Sequence, residues 1–339
     1  MGYVAIKGSQ EAVERAEKLF RLLRSMKTQP VSVEQIKEQF FLLIDRLMSE
    51  AGLYAPDMTA LALKQCAGDT FEATLLLRAF RNTLERIGYS EPIKTESMRV
   101  IRRISAIFKD IPGGQILGPI LDYSIRLLDF DLKETPQELM AELLSFSKPV
   151  PENVPDALKP LLEEGLLEPK DESEELLDIT REPVSFPAKR GQVLQSLARG
   201  ETGGMLLLAY SNVRGYGDVH PAVGELRVGY AKVVHGGRVL GEVKLTEAKL
   251  VLKVKKSEGK AYFSVGYGLC FGHNEVKAIS MAILDGAIKE GGSMPSQDQE
   301  FVLYHIDSVD SMGFVQHFKM PHYVTFLSDL SLLRSMRNV

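Results

Sequence analysis

Apolar residues recur at helical spacing through residues 1–130 and alternate with polar ones through much of the last third of the chain, so a helical lobe is expected before a sheet-bearing one. A short initial strand precedes an amphipathic helix from Ser9 to Met26, with Val13, Ala16, Leu19, Phe20 and Leu23 on one face. The next helix starts at Ser32, whose hydroxyl can cap while Gln35 reaches back three residues later, and it carries Ile36, Phe40, Ile44 and Leu47. Met58 to Ala67 stops at Gly68 and Thr70 to Ile87 stops at Gly88, each glycine supplying a left-handed terminator. Glu96 to Phe108 also reads as helix and breaks at Ile111-Pro112-Gly113-Gly114.

From Phe146 to Pro187 the character changes. Prolines at 149, 151, 155, 160, 169, 183 and 187 and an acidic run from Glu168 to Glu175 predict a linker or variable surface segment with one or two short helices. Beyond it, Gly224 to Val234, Val239 to Lys256 and Lys260 to Cys270 alternate as strands, and the turns at Gly236-Gly237 and Ser257-Glu258-Gly259 permit hairpins. Asn274 to Lys289 returns to helix with Val276, Ile279, Ile283 and Ala287 as its buried stripe, and Tyr323 to Met336 forms a last helix. The expected fold class is therefore α+β: a helical domain over 1–145, a proline-rich segment over 146–190, and a mixed, mainly antiparallel-sheet domain over 191–339.

Composition narrows the function classes. A chain of 339 residues can bury two cores, and its net charge of -4 argues against a general nucleic-acid binder. Cys66 and Cys270 are too few for a disulfide framework and lie in apolar runs, so they are expected to be reduced core thiols. No apolar run has membrane-spanning length and the first residues lack the order of a secretion signal, which makes a cytoplasmic location and no membrane partner the expectation.

Four segments can carry chemistry. His317 and His322 flank Pro321, which fixes the backbone so that two imidazoles can converge on one ion; the alternative is a pair of surface or capping histidines. Zinc normally takes four donors, so the others would come from elsewhere in the chain, a substrate or a partner. Arg214 to Pro221 sets Gly215 and Gly217 beside a cation, an acid and an imidazole. Gly266 to Gly272 runs from a strand into a helix, where free amides attract phosphate, although tight turns explain such glycines equally well. Lys109 to Gln115 closes the expected helix bearing Arg99, Arg102 and Arg103, cations that either satisfy the helix dipole or bind phosphate. The acids Glu225, Asp298 and Glu300 are expected in exposed, polar positions.

Tyr3 to Gly8, Ala62 to Gln65, Leu77 to Arg81, Arg103 to Ala106 with Lys109 to Gly114, Arg214 to Gly217, Gly266 to Gly272, Glu300 to Leu303 and His317 to Val324 together resemble the I-subunit family of carbon-phosphorus lyase. The resemblance covers residues 1–130 and 205–335 in order. It implies an enzyme that, with the other subunits of a phosphonate-degrading complex (G, H, J and the ABC-type K and L), displaces adenine from ATP with methylphosphonate. The product is α-D-ribose 1-methylphosphonate 5-triphosphate; alone, the subunit is a purine-nucleotide ribosidase with water as nucleophile. It further implies that His317 and His322 hold zinc facing the radical-chemistry subunit, and that magnesium accompanies ATP.

Breaking an N-glycosidic bond builds positive charge on the ribose, so a carboxylate near C1′ is needed, and protonation helps the base depart. Asp110, Asp218, Glu225 and Glu300 are the acids in the matching motifs, with Asp110, Glu225 and Glu300 the catalytic candidates. Lys109, Gly113, Gly114, Arg214, Gly215, Gly217, Gly266, Gly268 and Gly272 are the candidates for binding the triphosphate. A scaffold subunit lending its histidines to a shared site, and a zinc hydrolase acting alone, are the competing readings.

Overall fold

The computed structural model describes residues 10–26, 28–122, 127–128, 130, 154–169, 177–215, 220–257 and 259–337. The expected initial strand and most of the acidic run lie outside them.

Helices α1 (Gln10–Leu23), α2 (Val33–Gln39), α3 (Phe41–Ala51), α4 (Pro56–Gln65) and α5 (Thr70–Thr83) form the N-terminal lobe. The capping box between Ser32 and Gln35 is present, but the helix it starts breaks at Phe40, so Ile36 and Ile44 reach the core from two helices instead of one. Ile44, Leu47, Met48, Leu63 and Leu77 pack together as that core. The turn after α4 is made by Ala67 and Gly68, both at positive φ. Helix α5 ends at Thr83, short of the expected Gly88, because the chain beyond it leaves to join the sheet: Glu91 N donates to Val234 O at 2.7 Å. Helix α1 buries none of its residues, so the apolar face centred on Leu19 and Phe20 stays largely exposed.

The segment expected as a helix from Glu96 to Phe108 is instead strand β1 (Arg99–Ile104), paired antiparallel with β2 (Ala222–His235). Val100, Ile101 and Ile104 favour the extended backbone; Arg103 finds its partner Glu225 on the neighbouring strand, and Arg102 pairs with Glu275 and Asp122. Strands β2, β3 (Arg238–Ser257) and β4 (Lys260–Phe271) follow as the expected hairpins, giving a four-stranded antiparallel sheet in the order β1-β2-β3-β4. The 154–169 stretch contributes the short helix α6 (Lys159–Glu163) and packs Val154, Ala157 and Leu158 out of solvent.

Helices α7 (Arg190–Arg199), α8 (Thr202–Tyr210) and α9 (Glu275–Glu290) cover one face of the sheet, followed by α10 (Gln299–His305), α11 (Ser308–His317) and α12 (Tyr323–Arg337). Helix α9 approaches β4 so closely that a Cβ at Gly266 would lie 1.9 Å from the Ala282 carbonyl oxygen, and one at Gly268 2.1 Å from that of Ala278. Its buried positions follow the expected stripe in part: Ala287 is buried and Ile279 and Ile283 pack against the core, but Val276 is exposed, and Lys277, Ala278, Met281, Leu284 and Asp285 are shielded as well. The helix is enclosed by the sheet on one side and by α8 on another, so a single apolar stripe does not describe it. No helix among the described residues is long and apolar enough to cross a membrane.

Candidate functional site

Strand alternation sorts the sheet into two unlike faces. Leu226, Ala248, Leu250 and Cys270 point into the core beneath α9, so the intervening residues Glu225, Arg227, Glu247, Lys249 and Tyr267 point the other way. That second face carries a buried charge network.

Glu225 stands at its centre, fully buried rather than exposed as the sequence suggested. Its Oε1 accepts from Arg103 Nε at 2.7 Å and Arg227 Nε at 3.0 Å, and its Oε2 accepts from Arg103 Nη2 at 3.0 Å and Ala157 N at 2.6 Å. Arg103 Nη1 donates to the carbonyls of Pro112 (2.6 Å) and Gly114 (2.8 Å), and its Nη2 to that of Pro155 (3.0 Å). Arg227 Nη2 donates to Val154 O at 3.0 Å. One carboxylate thus orients two guanidiniums that hold the 112–114 turn and the 154–157 stretch over the sheet. Ser105 and Gln115 brace the same turn through paired bonds of 2.9 and 2.6 Å.

Beside this cluster, Glu247 Oε1 accepts from Thr95 Oγ1 at 2.8 Å and Tyr267 OH at 3.1 Å, while Oε2 is shielded and without a hydrogen bond, its nearest cation being Lys249 Nζ at 3.7 Å. Lys249 also donates to Asp156 Oδ2 at 2.6 Å. Burial opposes the charge on both members of this pair, yet Glu247 and Asp156 hold the Lys249 ammonium above its ordinary value and Lys249 holds Asp156 below its own. Burial, followed by the nearby Glu247, pushes the Tyr267 hydroxyl well above the usual tyrosine range, so it stays protonated and donates.

The glycine segment expected to cradle phosphate does something else. Gly266 and Gly268 belong to β4 and are covered by α9; Gly272, at φ +75, lies against Asp45, whose Cβ a side chain there would meet at 2.4 Å. The amides just before α9 are already taken: Gly272 N donates to Lys244 O (2.8 Å), His273 N to Asp45 Oδ2 (2.9 Å) and Asn274 N to Thr246 Oγ1 (2.9 Å). The protein's own Asp45 carboxylate thus takes one of the amides leading into α9, and Gly266 and Gly268 serve the close packing of α9 on β4.

The remaining candidates lie on the surface. Lys109, Asp110, Gly113 and Gly114 occupy the exposed loop gripped by Arg103. Arg214 is exposed, its guanidinium 5.8 Å from the Tyr210 ring in the wide helical turn Ser211–Gly215, which includes Gly215; Gly217 and Asp218 lie outside the described residues. Glu300 is exposed in the first turn of α10, with no hydrogen bond or ion pair to the Lys109–Gly114 loop among the described residues. The structure therefore links Glu225 to Gly113 and Gly114 through Arg103 and leaves Glu300 apart.

His317 ends α11 and His322 follows two residues beyond Met320, with ring centroids 5.4 Å apart. Each Nδ1 meets a backbone carbonyl, that of Phe314 for His317 and that of Met320, at 2.6 Å, for His322. Nδ1 must be the donor in both, so in the neutral ring the lone pair sits on Nε2, the tautomer a metal requires. Among the described residues no group of three or more His, Cys, Asp or Glu is placed to hold an ion, so this pair supplies two donors at most. The cysteines are free thiols; burial pushes Cys270 up to about 11 and raises Cys66.

The model of the bacterial phosphonate metabolism protein family PhnI matches residues 2–339. The chain belongs to that family. It is 48% identical to the protein HtxH of Stutzerimonas stutzeri, over 100% of this chain and 96% of that one. It is 43% identical to the alpha-D-ribose 1-methylphosphonate 5-triphosphate synthase subunit PhnI of Rhizobium meliloti, over 99% of this chain and 95% of the relative. The PhnI of Escherichia coli K12 is likewise 43% identical, over 99% and 98%. Membership in the PhnI family places this chain in phosphonate metabolism. Within it, sequence reasoning reached Glu225 and the 109–114 loop but missed Arg227, Glu247, Lys249, Tyr267, Thr95 and Asp156. The period-two order of β2 put Glu225 and Arg227 on one face and could have found them; nothing local marks Thr95 or Asp156.

Proposed function

We propose that this chain carries the nucleotide chemistry of its complex, displacing adenine from ATP with methylphosphonate to give α-D-ribose 1-methylphosphonate 5-triphosphate, and that alone it is a purine-nucleotide ribosidase. The observation that carries this reading is end-to-end similarity to two relatives named as subunits of that synthase. Asp110 and Lys109, exposed on a loop held by Arg103, are free to meet a ribose and a polyphosphate, and Arg214 offers a second exposed cation. Glu225 acts through Arg103 as a positioning residue, since all its hydrogen bonds go to protein donors. Glu300 remains a candidate acid only if a partner or substrate brings the two surfaces together. Magnesium bound to the triphosphate would share its charge with these cations.

Partners G, H and J, with K and L, complete the assembly in this reading, and the cytoplasm is where ATP would meet it. Positioning explains the change from hydrolysis to transfer: a phosphonate held in line gains an effective concentration of about 10⁵ M or more, enough to outcompete water. Purified chain incubated with ATP and magnesium should release free adenine, measured by chromatography; none at any enzyme concentration would leave the catalytic reading without support.

The histidine pair fits zinc by its free Nε2 atoms, with the missing donors coming from a partner. Zinc there would supply a Lewis-acidic, structure-fixing centre at a subunit junction. Alanine at both His317 and His322 should remove about one zinc per copy from the assembled complex, read by elemental analysis. Unchanged stoichiometry would reject the assignment. A scaffold role is the second reading, favoured by α1 and α12, neither of which buries any residue, and by the incompleteness of the pair.

A further inference from the structure

A cavity of about 240 Å³ opens where α7 ends and α10 turns into α11. Val184, Phe186, Leu303 and Ile306 give it an apolar wall, while Arg199, Asp307 and Asp310 give it a charged one. Arg199 is the unusual member. Its Nε is shielded from solvent with no hydrogen-bond partner, and its guanidinium makes no hydrogen bond or ion pair among the described residues. A buried donor left unmatched is unfavourable and rare in folded proteins, so it marks a place where an acceptor belongs.

The neighbouring charges explain why no described residue supplies that acceptor. Asp307 is committed to Arg78, whose Nη1 donates to both of its oxygens at 2.7 and 2.9 Å, and it caps α11 through the amides of Val309 and Asp310. Arg81 donates to Ala51 O at 3.1 Å and meets no carboxylate there. Burial, then Arg78 and Arg81, push Arg199 down to about 10, so it stays cationic at neutral pH while crowded by like charge. Arg199 thus has Arg78 and Arg81 beside it, while the acids near it are Asp307, already bonded to Arg78, and the exposed Asp310.

We propose that this cavity binds a small organic monoanion, its oxyanion head paired with Arg199 and its apolar body against Phe186, Leu303 and Ile306. The cavity is smaller than the pockets that hold drug-sized molecules, which limits the occupant to a compact one. A phosphonate and a carboxylate share the required head, and a second negative charge would be opposed by Asp310. The proposal goes beyond the nucleotide reading and needs no ATP, so adenine release and binding here can fail separately.

Calorimetric titration of the full chain tests it, with phenylphosphonate and benzoate as probes, inorganic phosphate as the head alone and benzyl alcohol as the neutral body, at mildly acidic pH and low salt. At least one organic anion should saturate at low-millimolar concentration or below, and the stronger of the two identifies the head for which the site is built. Arg199→Gln should weaken that binding roughly tenfold or more, and Asp310→Asn should strengthen it severalfold. Should Arg199→Gln fail to fold, the sign of the Asp310→Asn change and the loss of binding on adding salt decide. No saturation by either anion, equal binding of benzyl alcohol, or weaker binding to Asp310→Asn would each overturn the proposal.

Discussion

Replacing Glu225 by alanine should lower the unfolding free energy by about 3–5 kcal/mol, the usual effect of leaving buried charges without their partner. Arg103 and Arg227 are both almost fully shielded and both turn an Nε toward Glu225 Oε1, so the substitution would strand two guanidiniums at once. The damage would spread, because Arg103 holds the 112–114 turn and both arginines hold the 154–155 carbonyls. Denaturant unfolding followed by circular dichroism measures the loss. A variant as stable as the parent but devoid of adenine release would instead make Glu225 a catalytic acid, contrary to the positioning role its geometry supports.

Lys277→Met should stabilise the protein at neutral pH, with the gain disappearing in alkaline solution. Lys277 is fully buried on α9, its Nζ has no hydrogen-bond partner, and burial pushes its ammonium down to about 8 despite the attraction of Glu50. The sign follows from proton counting. Below about pH 8 both folded and unfolded chains carry the proton, and the folded chain bears the full penalty of a buried charge. As the pH rises from about 8 to the ordinary lysine value of 10.5, the folded chain has released its proton and the unfolded chain has not, so stability climbs and the penalty vanishes. The difference between those values corresponds to about 3 kcal/mol. Unfolding curves for parent and methionine variant at pH 7 and near pH 10.5 should converge at the higher pH. Destabilisation at pH 7 would show that the ammonium has an internal partner, for which the unpartnered Glu50 Oε2 is the nearest acid.

The arginine-rich strand β1 shows why part of the fold was misread. Arg99, Arg102 and Arg103 are surface-like letters at helical spacing, and a single sequence cannot reveal that Glu225, Glu275 and Asp122 lie opposite two of them. Charge was read as exposure, whereas pairing across the sheet allows it to be buried. The glycines of β4 pose a different ambiguity. Close packing by α9 and loop flexibility demand the same residue, and only the Ala278 and Ala282 carbonyls distinguish them. The histidine pair was legible because its spacing is local, and the structure adds the carbonyl contacts that set both tautomers.

By itself the sequence determined the α+β class, the capping box at Ser32, the three long hairpin strands, the final helix and, through its motifs, the family. Each of these rests on interactions within a few residues or on patterns that repeat along the chain. Tertiary structure alone decided that the second face of the sheet is a buried charge network, that Asp45 takes the His273 amide beside the start of α9, and that Arg199 faces a cavity without a partner among the described residues. Those facts join residues more than a hundred positions apart, where a charge is stabilised or stranded by whatever the fold brings within hydrogen-bond reach.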